Sequence, residues 1–294
     1  MRRLLDKQWY TEYNILSCRK SDSSILPILF MRGDFVQAGI STACLYPMLL
    51  EDSFSQLINL NFRCFEVFLN TCSEFGEPYL KRLRRMADNS GSRIRSLHPF
   101  TSGYENFLLF SDYERRYRDG LEFYKHYFHA CNLLGADLLV LHGKRSDKPG
   151  ISDREFFERY SRLYDLGRTF EVTVAQENVN LYRSDDPEFI KKMKVACGKN
   201  CAFVLDVKQA VRGGTDPFLL CEAMGEQLAH VHINDNNAVS DCLLPGFGSM
   251  DFPRLIRQLR RQKFNGNLII EVYRKSFGKL NELVTAKQVV ESLL

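Results

Sequence analysis

The sequence lacks the features that mark secreted and membrane proteins. Its nine cysteines form no C-x-x-C pair, and no secretory signal precedes them. The first apolar run, residues 25–31, is too short for the core of a signal peptide. No stretch approaches the roughly 20 apolar residues that cross a membrane. We therefore expect a reduced, soluble protein of the cytoplasm that has no membrane partner.

An excess of charge of one sign is also missing. Forty Lys and Arg residues face 36 Asp and Glu residues, which leaves a formal net charge of +4. Proteins that bind nucleic acids usually concentrate more positive charge than this. The basic clusters at 81–85, 115–118 and 257–263 fall on predicted helices, whose polar faces point to solvent. A nucleic-acid partner is therefore not expected.

The remaining composition is that of an ordinary globular protein. Of 294 residues, 45% are hydrophobic, 26% charged and 12% aromatic, which excludes collagen-like, coiled-coil and largely disordered chains. Residues 1–34 carry scattered charge and a Ser-rich stretch without a sustained period, so we expect a partly disordered N-terminal extension there. Residues 35–294 are expected to form one catalytic domain, because α/β barrels routinely fill about 250 residues.

A regular alternation of short apolar runs and helical patterns begins near residue 35. The runs are short, rich in aliphatic residues and bounded by turn residues, as in strands buried on both faces. They cover residues 36–45, 62–69, 93–98, 137–142, 172–177, 201–206, 228–233 and 268–271. Amphipathic helical patterns lie between them, most clearly at 113–134, 151–170, 251–264 and 280–290.

Eight strands that alternate with eight helices predict a parallel sheet closed into a single-domain (β/α)8 TIM barrel. A doubly wound open sheet is the competing α/β architecture. That fold requires a Gly-rich phosphate loop after its first strand, and QAGIST does not match G-x-G-x-x-G. The barrel is therefore the predicted fold.

Polar residues stand where the apolar runs end. These residues are His98, His142, Glu177, Asp206, His232 with Asp235, and Glu271. In a barrel the carboxyl ends of all strands meet on one face, where active sites form. The steps from Glu177 to Asp206, to His232 and to Glu271 are 29, 26 and 39 residues, each about one βα unit. The spacing predicts that these four side chains meet.

Three carboxylates that close cannot all stay ionised without a compensating charge. One divalent cation would supply it. Oxygen-rich ligation with one imidazole favours Mn²⁺, Mg²⁺ or Co²⁺, and it tolerates Zn²⁺. The alternative is that each acid pairs with a nearby base, such as Lys208 or Arg274.

The strand-end segments resemble the xylose-isomerase-like TIM-barrel superfamily, which contains sugar isomerases, ketose 3-epimerases, inosose dehydratases and endonuclease IV. The resemblance covers residues 35–294 and is carried by LHPF, LVLHG, AQENVN, FVLDVKQA, HVHINDN, LLPGFGSMDF and LIIEVY. It implies that one divalent metal ion binds to four residues, Glu177, Asp206, His232 and Glu271. In the sugar-acting branch the resemblance places His98 and His142 in the substrate pocket, and in the endonuclease branch it makes them zinc ligands.

The chain departs from the superfamily pattern at three places. Gln209 stands where D-x-x-H has its histidine, Cys242 replaces a histidine before LLPG, and residues 246–248 read Gly-Phe-Gly in place of Gly-Glu-Gly. An amide can bind a substrate hydroxyl but cannot carry a proton. Cys242, near the predicted barrel mouth, is the thiol whose reactivity is worth testing.

The function expected from these features is a metal-dependent isomerase or epimerase acting on a sugar or a sugar-like polyol through an enediolate. Glu177 and Glu271 would move the proton, and Asp206 and His232 would hold the metal. Substrate contacts are expected from His98, His142, Gln209 and Lys144, and His230 is expected to pack inside the barrel.

Three alternatives remain at the level of sequence. They are an inosose-type dehydratase on the same barrel, a metal-dependent phosphodiesterase like endonuclease IV, and a barrel that binds a sugar without catalysis. Gln209 and Cys242 disfavour the phosphodiesterase, because two histidines of its zinc cluster would be missing. The expected partner is a small-molecule sugar or polyol, and a homo-oligomer is compatible with the sequence.

Overall fold

Eight parallel strands form a closed barrel in the computed structural model, which describes residues 36–294. Each strand pairs with the next along the chain, and β8 pairs with β1. The strands are β1 Gln37–Ser41, β2 Cys64–Phe68, β3 Arg93–His98, β4 Leu138–Leu141, β5 Thr173–Glu177, β6 Ala202–Asp206, β7 Leu228–Ile233 and β8 Asn267–Ile270. The predicted (β/α)8 TIM barrel is confirmed. The extension predicted over residues 1–34 lies outside the described residues.

Ten α-helices surround this barrel within the described residues. They are α1 Leu50–Asn59, α2 Glu77–Ser90, α3 Glu105–Leu108, α4 Glu114–Leu134, α5 Asp153–Arg168, α6 Pro187–Cys197, α7 Val207–Gly213, α8 Pro217–Met224, α9 Phe252–Arg261 and α10 Asn281–Ser292. The two beyond the expected eight are the short helices α3 and α7. Both lie in connections at the carboxyl ends of strands, where they shape the mouth of the barrel.

The long helices begin and end at the residues that the sequence indicates. In α4, Tyr117, Tyr124 and Phe128 are buried, and the helix stops at Gly135, whose φ of 75° suits a residue without a Cβ. In α9 the Asp251 side chain accepts a hydrogen bond from the Arg254 N–H at 2.8 Å, which caps the first turn.

The first strand is shorter than the predicted run 36–45. It ends at Ser41, whose hydroxyl oxygen accepts a hydrogen bond from the Ala43 N–H at 3.3 Å. Residues Thr42–Leu45 then form a 3-10 turn. A serine that bonds the backbone two residues further along competes with the sheet, and apolar content alone did not reveal this stop.

Successive side chains of each strand point to opposite faces of the sheet, and this places polar groups inside the barrel. Phe65 and Val67 of β2 belong to the main hydrophobic core that packs under the helices. Glu66 between them points the other way and bonds to Ser96 of β3 and to His230 and His232 of β7. Bonds between β2 and β7 must cross the barrel, so Glu66 lies in its interior.

None of the helices in the part of the chain that the structure describes is long and apolar enough to cross a membrane.

Candidate metal centre

Four consecutive strands deliver the predicted quartet to one point. Glu177 and Asp206 are the last residues of β5 and β6, His232 lies near the end of β7, and Glu271 directly follows β8. One ligand atom from each side chain lies within 4.8 Å of the others. The fold thus brings together the four residues that the spacing predicted to meet.

His232 Nδ1 lies at the centre of this quartet. It is 2.9 Å from Glu177 Oε1, 3.4 Å from Glu271 Oε2 and 3.8 Å from Asp206 Oδ2. All four side chains are buried, with Glu271 the most accessible at 9% exposure. Ligands about 2.1 Å from one metal ion lie roughly 3–3.5 Å from their neighbours. The separations to Glu177 and Glu271 are close to this range, and the separation to Asp206 is slightly longer.

The chemistry of the donor set fits a divalent cation. Three carboxylates and one imidazole combine hard oxygen donors with a nitrogen that binds first-row metals. Glu177 Oε2 and Asp206 Oδ2 are buried and accept no hydrogen bond of good geometry, although His142 Nε2 and the Lys208 ammonium lie 2.8 and 3.2 Å from them. A metal ion would give each of these oxygens a further partner.

Pairing with a base occurs at only one of the two candidate positions. The Lys208 ammonium lies 2.8 Å from Glu271 Oε2 and 3.2 Å from Asp206 Oδ2. Arg274 instead donates a hydrogen bond to the Phe277 carbonyl at 2.9 Å. One ammonium neutralises one of the three carboxylates, so with His232 neutral, as a metal ligand must be, the quartet keeps capacity for a further cation.

The surroundings of Glu177 and Glu271 shift the pKa values of these two residues in opposite directions. Burial disfavours the charged form of Glu177, but His142 and His232 outweigh it and hold the pKa of Glu177 well below its ordinary value. Burial raises the pKa of Glu271, and Asp206 and Glu177 raise it further, although Lys208 and His232 oppose them. Two carboxyl groups with divergent acidities suit acid and base roles.

Glu66 contacts the His232 ring on the side opposite the other three residues of the quartet. Its Oε2 lies 3.1 Å from His232 Nε2, while His232 Nδ1 faces the quartet. Burial works against a charged His232 ring, yet Glu66, Glu271 and Glu177 outweigh it and raise the pKa of His232 well above its ordinary value. A carboxylate behind a metal-binding histidine fixes ring orientation and tautomer.

His98 and His142 lie beside Glu177 and face its second carboxylate oxygen, Oε2. His142 Nε2 is 2.8 Å from Glu177 Oε2 and 3.1 Å from His98 Nε2. Burial and the neighbouring His142 lower the pKa of His98 to about 4, so His98 is neutral. Both predicted substrate-binding histidines therefore adjoin the quartet.

The two other predicted substrate-binding residues have different surroundings. Gln209 lies in α7, and its Oε1 accepts a hydrogen bond from the Asn180 N–H at 3.3 Å, which engages that oxygen with the loop after β5. The Lys144 ammonium donates to the Lys148 and Pro149 carbonyls, each at 3.0 Å, and to Asn106. Lys144 thus anchors its own loop, and its contact with substrate stays a prediction.

The predicted Cys242 thiol is less accessible than expected. Its exposed fraction is 5%, and the Ser276 hydroxyl donates to its sulfur at 3.5 Å. Among the described cysteines, Cys72 is the exposed one. Cys242 is thus a buried residue of the loop after β7, and its reactivity stays a prediction.

Several polar residues of the site were missed by sequence analysis. They are Glu66, Glu105, Asn178 and Asn234. Asn178 Nδ2 donates to the Asp206 carbonyl at 2.9 Å, and Asn234 Nδ2 donates to Asp206 Oδ1 at 3.3 Å. Burial raises the pKa of Glu105, which accepts from the Gly143 N–H beside His142, to about 7. For Glu66, Asn178 and Asn234, the available signal was a polar residue inside or directly after an apolar run.

The sequence of the chain matches one protein family over most of its length. The family described as xylose isomerase-like TIM barrel matches residues 54–293. The chain belongs to this family. The superfamily indicated by the strand-end motifs is thereby confirmed, and the ketose 3-epimerase-like branch stays a prediction.

Relatives of this family member were found among both sequences and solved structures. An uncharacterized protein of Mycobacterium leprae is 22% identical, over 88% of this chain and 95% of its own. A D-tagatose 3-epimerase-like protein superposes with a TM-score of 0.73 at 20% identity, covering 88% of this chain and 97% of that one. A D-psicose 3-epimerase of Clostridium cellulolyticum H10, solved with D-tagatose, has a TM-score of 0.71 at 14% identity, covering 88% and 98%. At these identities the structures show a shared fold.

Proposed function

We propose that the protein is a divalent-metal-dependent isomerase or epimerase that acts on a sugar or sugar-like polyol by proton transfer through an enediolate. The observation that carries this proposal is the quartet of Glu177, Asp206, His232 and Glu271 at one end of the barrel. The sugar epimerases among the structures of the same fold support a sugar as substrate.

The chain's own residues divide into ligands and proton carriers. Glu177, Asp206, His232 and Glu271 would hold the ion, and a bound divalent cation supplies Lewis-acid polarisation of the substrate carbonyl. One of Glu177 and Glu271 removes the proton from the carbon next to the carbonyl. The other returns a proton to the opposite face, and this inverts the centre.

Neighbouring groups would bind and orient the substrate. His142 Nε2 is within hydrogen-bond reach of Glu177 Oε2, so a substrate hydroxyl that bonds to His142 or His98 lies beside the Glu177 carboxylate. Holding the C–H bond near the base supplies much of the rate enhancement in such reactions. Gln209 and Lys144 are proposed to contact the more distant hydroxyl groups.

Hydrogen exchange with solvent tests this proposal. Wild-type protein and Glu177→Gln are incubated with Mn²⁺ and D-fructose, D-tagatose or D-psicose in D₂O, and deuterium next to the carbonyl is measured by NMR. We expect the wild type to incorporate deuterium and to form the epimer. Glu177→Gln should lower the rate by roughly 10²–10⁴-fold, because it removes a general acid–base group.

Glu188→Gln is the matched control for this experiment. Glu188 lies in the first turn of α6 and pairs with Lys191 at 2.7 Å on the surface, so its loss should leave the exchange rate unchanged. Unchanged turnover by Glu177→Gln would refute the mechanism. Loss of water from the sugar would indicate the dehydratase, and binding without exchange would indicate a non-catalytic barrel.

One observation favours a second candidate, a metal-dependent phosphodiesterase. His98, His142 and Glu177 form another group of donor atoms within 4.8 Å, and Glu177 is shared with the quartet. A carboxylate shared by two donor groups is compatible with a pair of metal ions, an arrangement common in phosphodiester cleavage. Two or more zinc ions per chain, together with strongly salt-dependent binding to DNA, would favour this candidate.

A further inference from the structure

A buried lysine lies against the quartet. Lys208 is in the first turn of α7, two residues after Asp206, and its side chain is 4% exposed. Its ammonium bridges Glu271 Oε2 at 2.8 Å and Asp206 Oδ2 at 3.2 Å. A lysine so deeply buried is rare unless it is paired, and here both partners are candidate metal ligands.

The Lys208 ammonium contacts carboxylate oxygens of two residues, Asp206 and Glu271, that would hold the proposed cation. Glu271 Oε2 and Asp206 Oδ2 are also the carboxylate oxygens for which separations from His232 Nδ1 are 3.4 and 3.8 Å. Lys208 therefore neutralises charge at the atoms that would face a metal ion. A positive charge a few ångströms from a divalent cation repels it, and the repulsion is little screened in a buried site.

The fold keeps the Lys208 ammonium in this place. The Asp206 side chain caps α7 by accepting from the Gln209 N–H at 3.1 Å, and this fixes the backbone around Lys208. The ammonium also lies 5.2 Å from the centre of the Tyr273 ring. Arg212 donates a hydrogen bond to the Tyr273 hydroxyl at 3.0 Å and holds that ring.

The other deeply buried lysine provides a contrast. Lys144 is 1% exposed, and its ammonium bonds to two main-chain carbonyls and to Asn106. Its partners are neutral oxygen atoms of a loop. Of these two lysines, only Lys208 neutralises carboxylates of the quartet.

We propose that Lys208 is a built-in counter-ion of the quartet that competes with the divalent cation for Asp206 and Glu271 and so weakens metal binding. The inference rests on the proposed metal site and adds a residue that sets its affinity. Counting only the ion, its four ligands and Lys208, three carboxylates with a neutral His232 and a divalent ion leave one net negative charge, which Lys208 cancels. A ligand set without excess negative charge suits a reaction in which negative charge develops on the substrate.

Metal affinity and stability together test the proposal. Lys208→Met removes charge and hydrogen bonding, whereas Lys208→Gln removes the charge and keeps a donor. The dissociation constant of Mn²⁺ is measured by calorimetry at pH 8 on full-length protein stripped with EDTA, because high pH limits competition from protons. We expect both variants to bind Mn²⁺ on the order of tenfold or more tightly than the wild type.

The unfolding temperature gives a second readout. Without metal, both variants should unfold at a lower temperature than the wild type, since three buried carboxylates lose their counter-ion. Added Mn²⁺ should raise the unfolding temperature more in the variants than in the wild type. Lys144→Met is the matched control, and it should leave the Mn²⁺ affinity unchanged even where it lowers stability.

The possible results separate this inference from the proposed function. If the wild type binds Mn²⁺ and the Lys208 variants bind it equally or more weakly, the counter-ion role is wrong and the metal site stands. Tighter binding by Lys208→Gln alone would also overturn it, since charge is lost in both variants. If neither the wild type nor any variant binds Mn²⁺, the proposed metal site and this inference both fail.

Discussion

At the scale of single residues, the candidate site depends on the side chains that bond to the ligand residues and hold them in place. His232 presents Nδ1 to the quartet because Glu66 accepts at Nε2, 3.1 Å away. Glu66 also lies 3.3 Å from His230 Nε2 and accepts from the Ser96 hydroxyl at 2.9 Å. A network of this kind fixes the tautomer and the plane of the imidazole, and both determine the strength of a metal–nitrogen bond.

Replacing Glu66 should therefore weaken metal binding. Glu66→Leu removes the acceptor, and we expect it to lower Mn²⁺ affinity about 10- to 100-fold, the usual effect of losing a partner behind a metal ligand. Glu66→Gln keeps an acceptor oxygen and should lose less. Calorimetric titration with Mn²⁺ measures both effects.

Circular dichroism separates this effect from misfolding. Both variants should retain the helical spectrum of the barrel, because Glu66 lies in the interior and not among the residues that pack the helices. Wild-type Mn²⁺ affinity in folded Glu66→Leu would show that Glu66 does not orient His232.

At the scale of elements, one carboxylate organises the loop after β7. Asp235 accepts hydrogen bonds from the N–H groups of Asn236, Gly246, Gly248 and Met250, at 2.8–3.0 Å. Gly246 has a φ of 89°, and a Cβ at Gly248 would come within 2.5 Å of Asp235 Oδ1, so both positions require glycine. The LLPGFGSM segment is thus wrapped around a side chain at the barrel mouth.

Asp235→Asn should loosen this loop. An amide offers one acceptor oxygen in place of two, so at least one partly buried N–H loses its hydrogen bond to a charged acceptor, at about 1.5–3 kcal/mol. Hydrogen–deuterium exchange should become faster at residues 243–250 and stay unchanged in the strands. Asp241→Asn, in the same loop but paired with Arg212 near the surface, is the control. Unchanged exchange in Asp235→Asn would show that the four hydrogen bonds do not hold the loop.

Element boundaries were predictable where apolar runs meet strong stop signals. β3 and β7 have the predicted limits, because a polar or turn residue bounds each run. β1 stops early, at Ser41, whose hydroxyl bonds the backbone N–H of Ala43. The helices α3 and α7 were not predicted, since α3 spans only four residues and α7 only seven, which is too short for a visible hydrophobic period.

At the scale of the whole molecule, the closed barrel explains why the quartet was predictable and other contacts were not. Consecutive strands are neighbours, so Glu177, Asp206, His232 and Glu271 follow from spacing alone. Glu66 and His232 are 166 residues apart and meet across the barrel. Such a contact depends on barrel diameter and strand register, which a single sequence does not show.

The metal content of the purified protein tests the proposed metal site most directly. Protein purified without chelator is analysed by mass spectrometry for the wild type, Asp206→Ala and Asp216→Ala. Both aspartates cap a helix, α7 and α8, but only Asp206 belongs to the quartet, so Asp216→Ala controls for loss of a cap. The proposed site predicts one Mn, Mg, Co or Zn ion per chain in the wild type and in Asp216→Ala, and almost none in Asp206→Ala. Absence of metal from the wild type, even after Mn²⁺ is added, would contradict it.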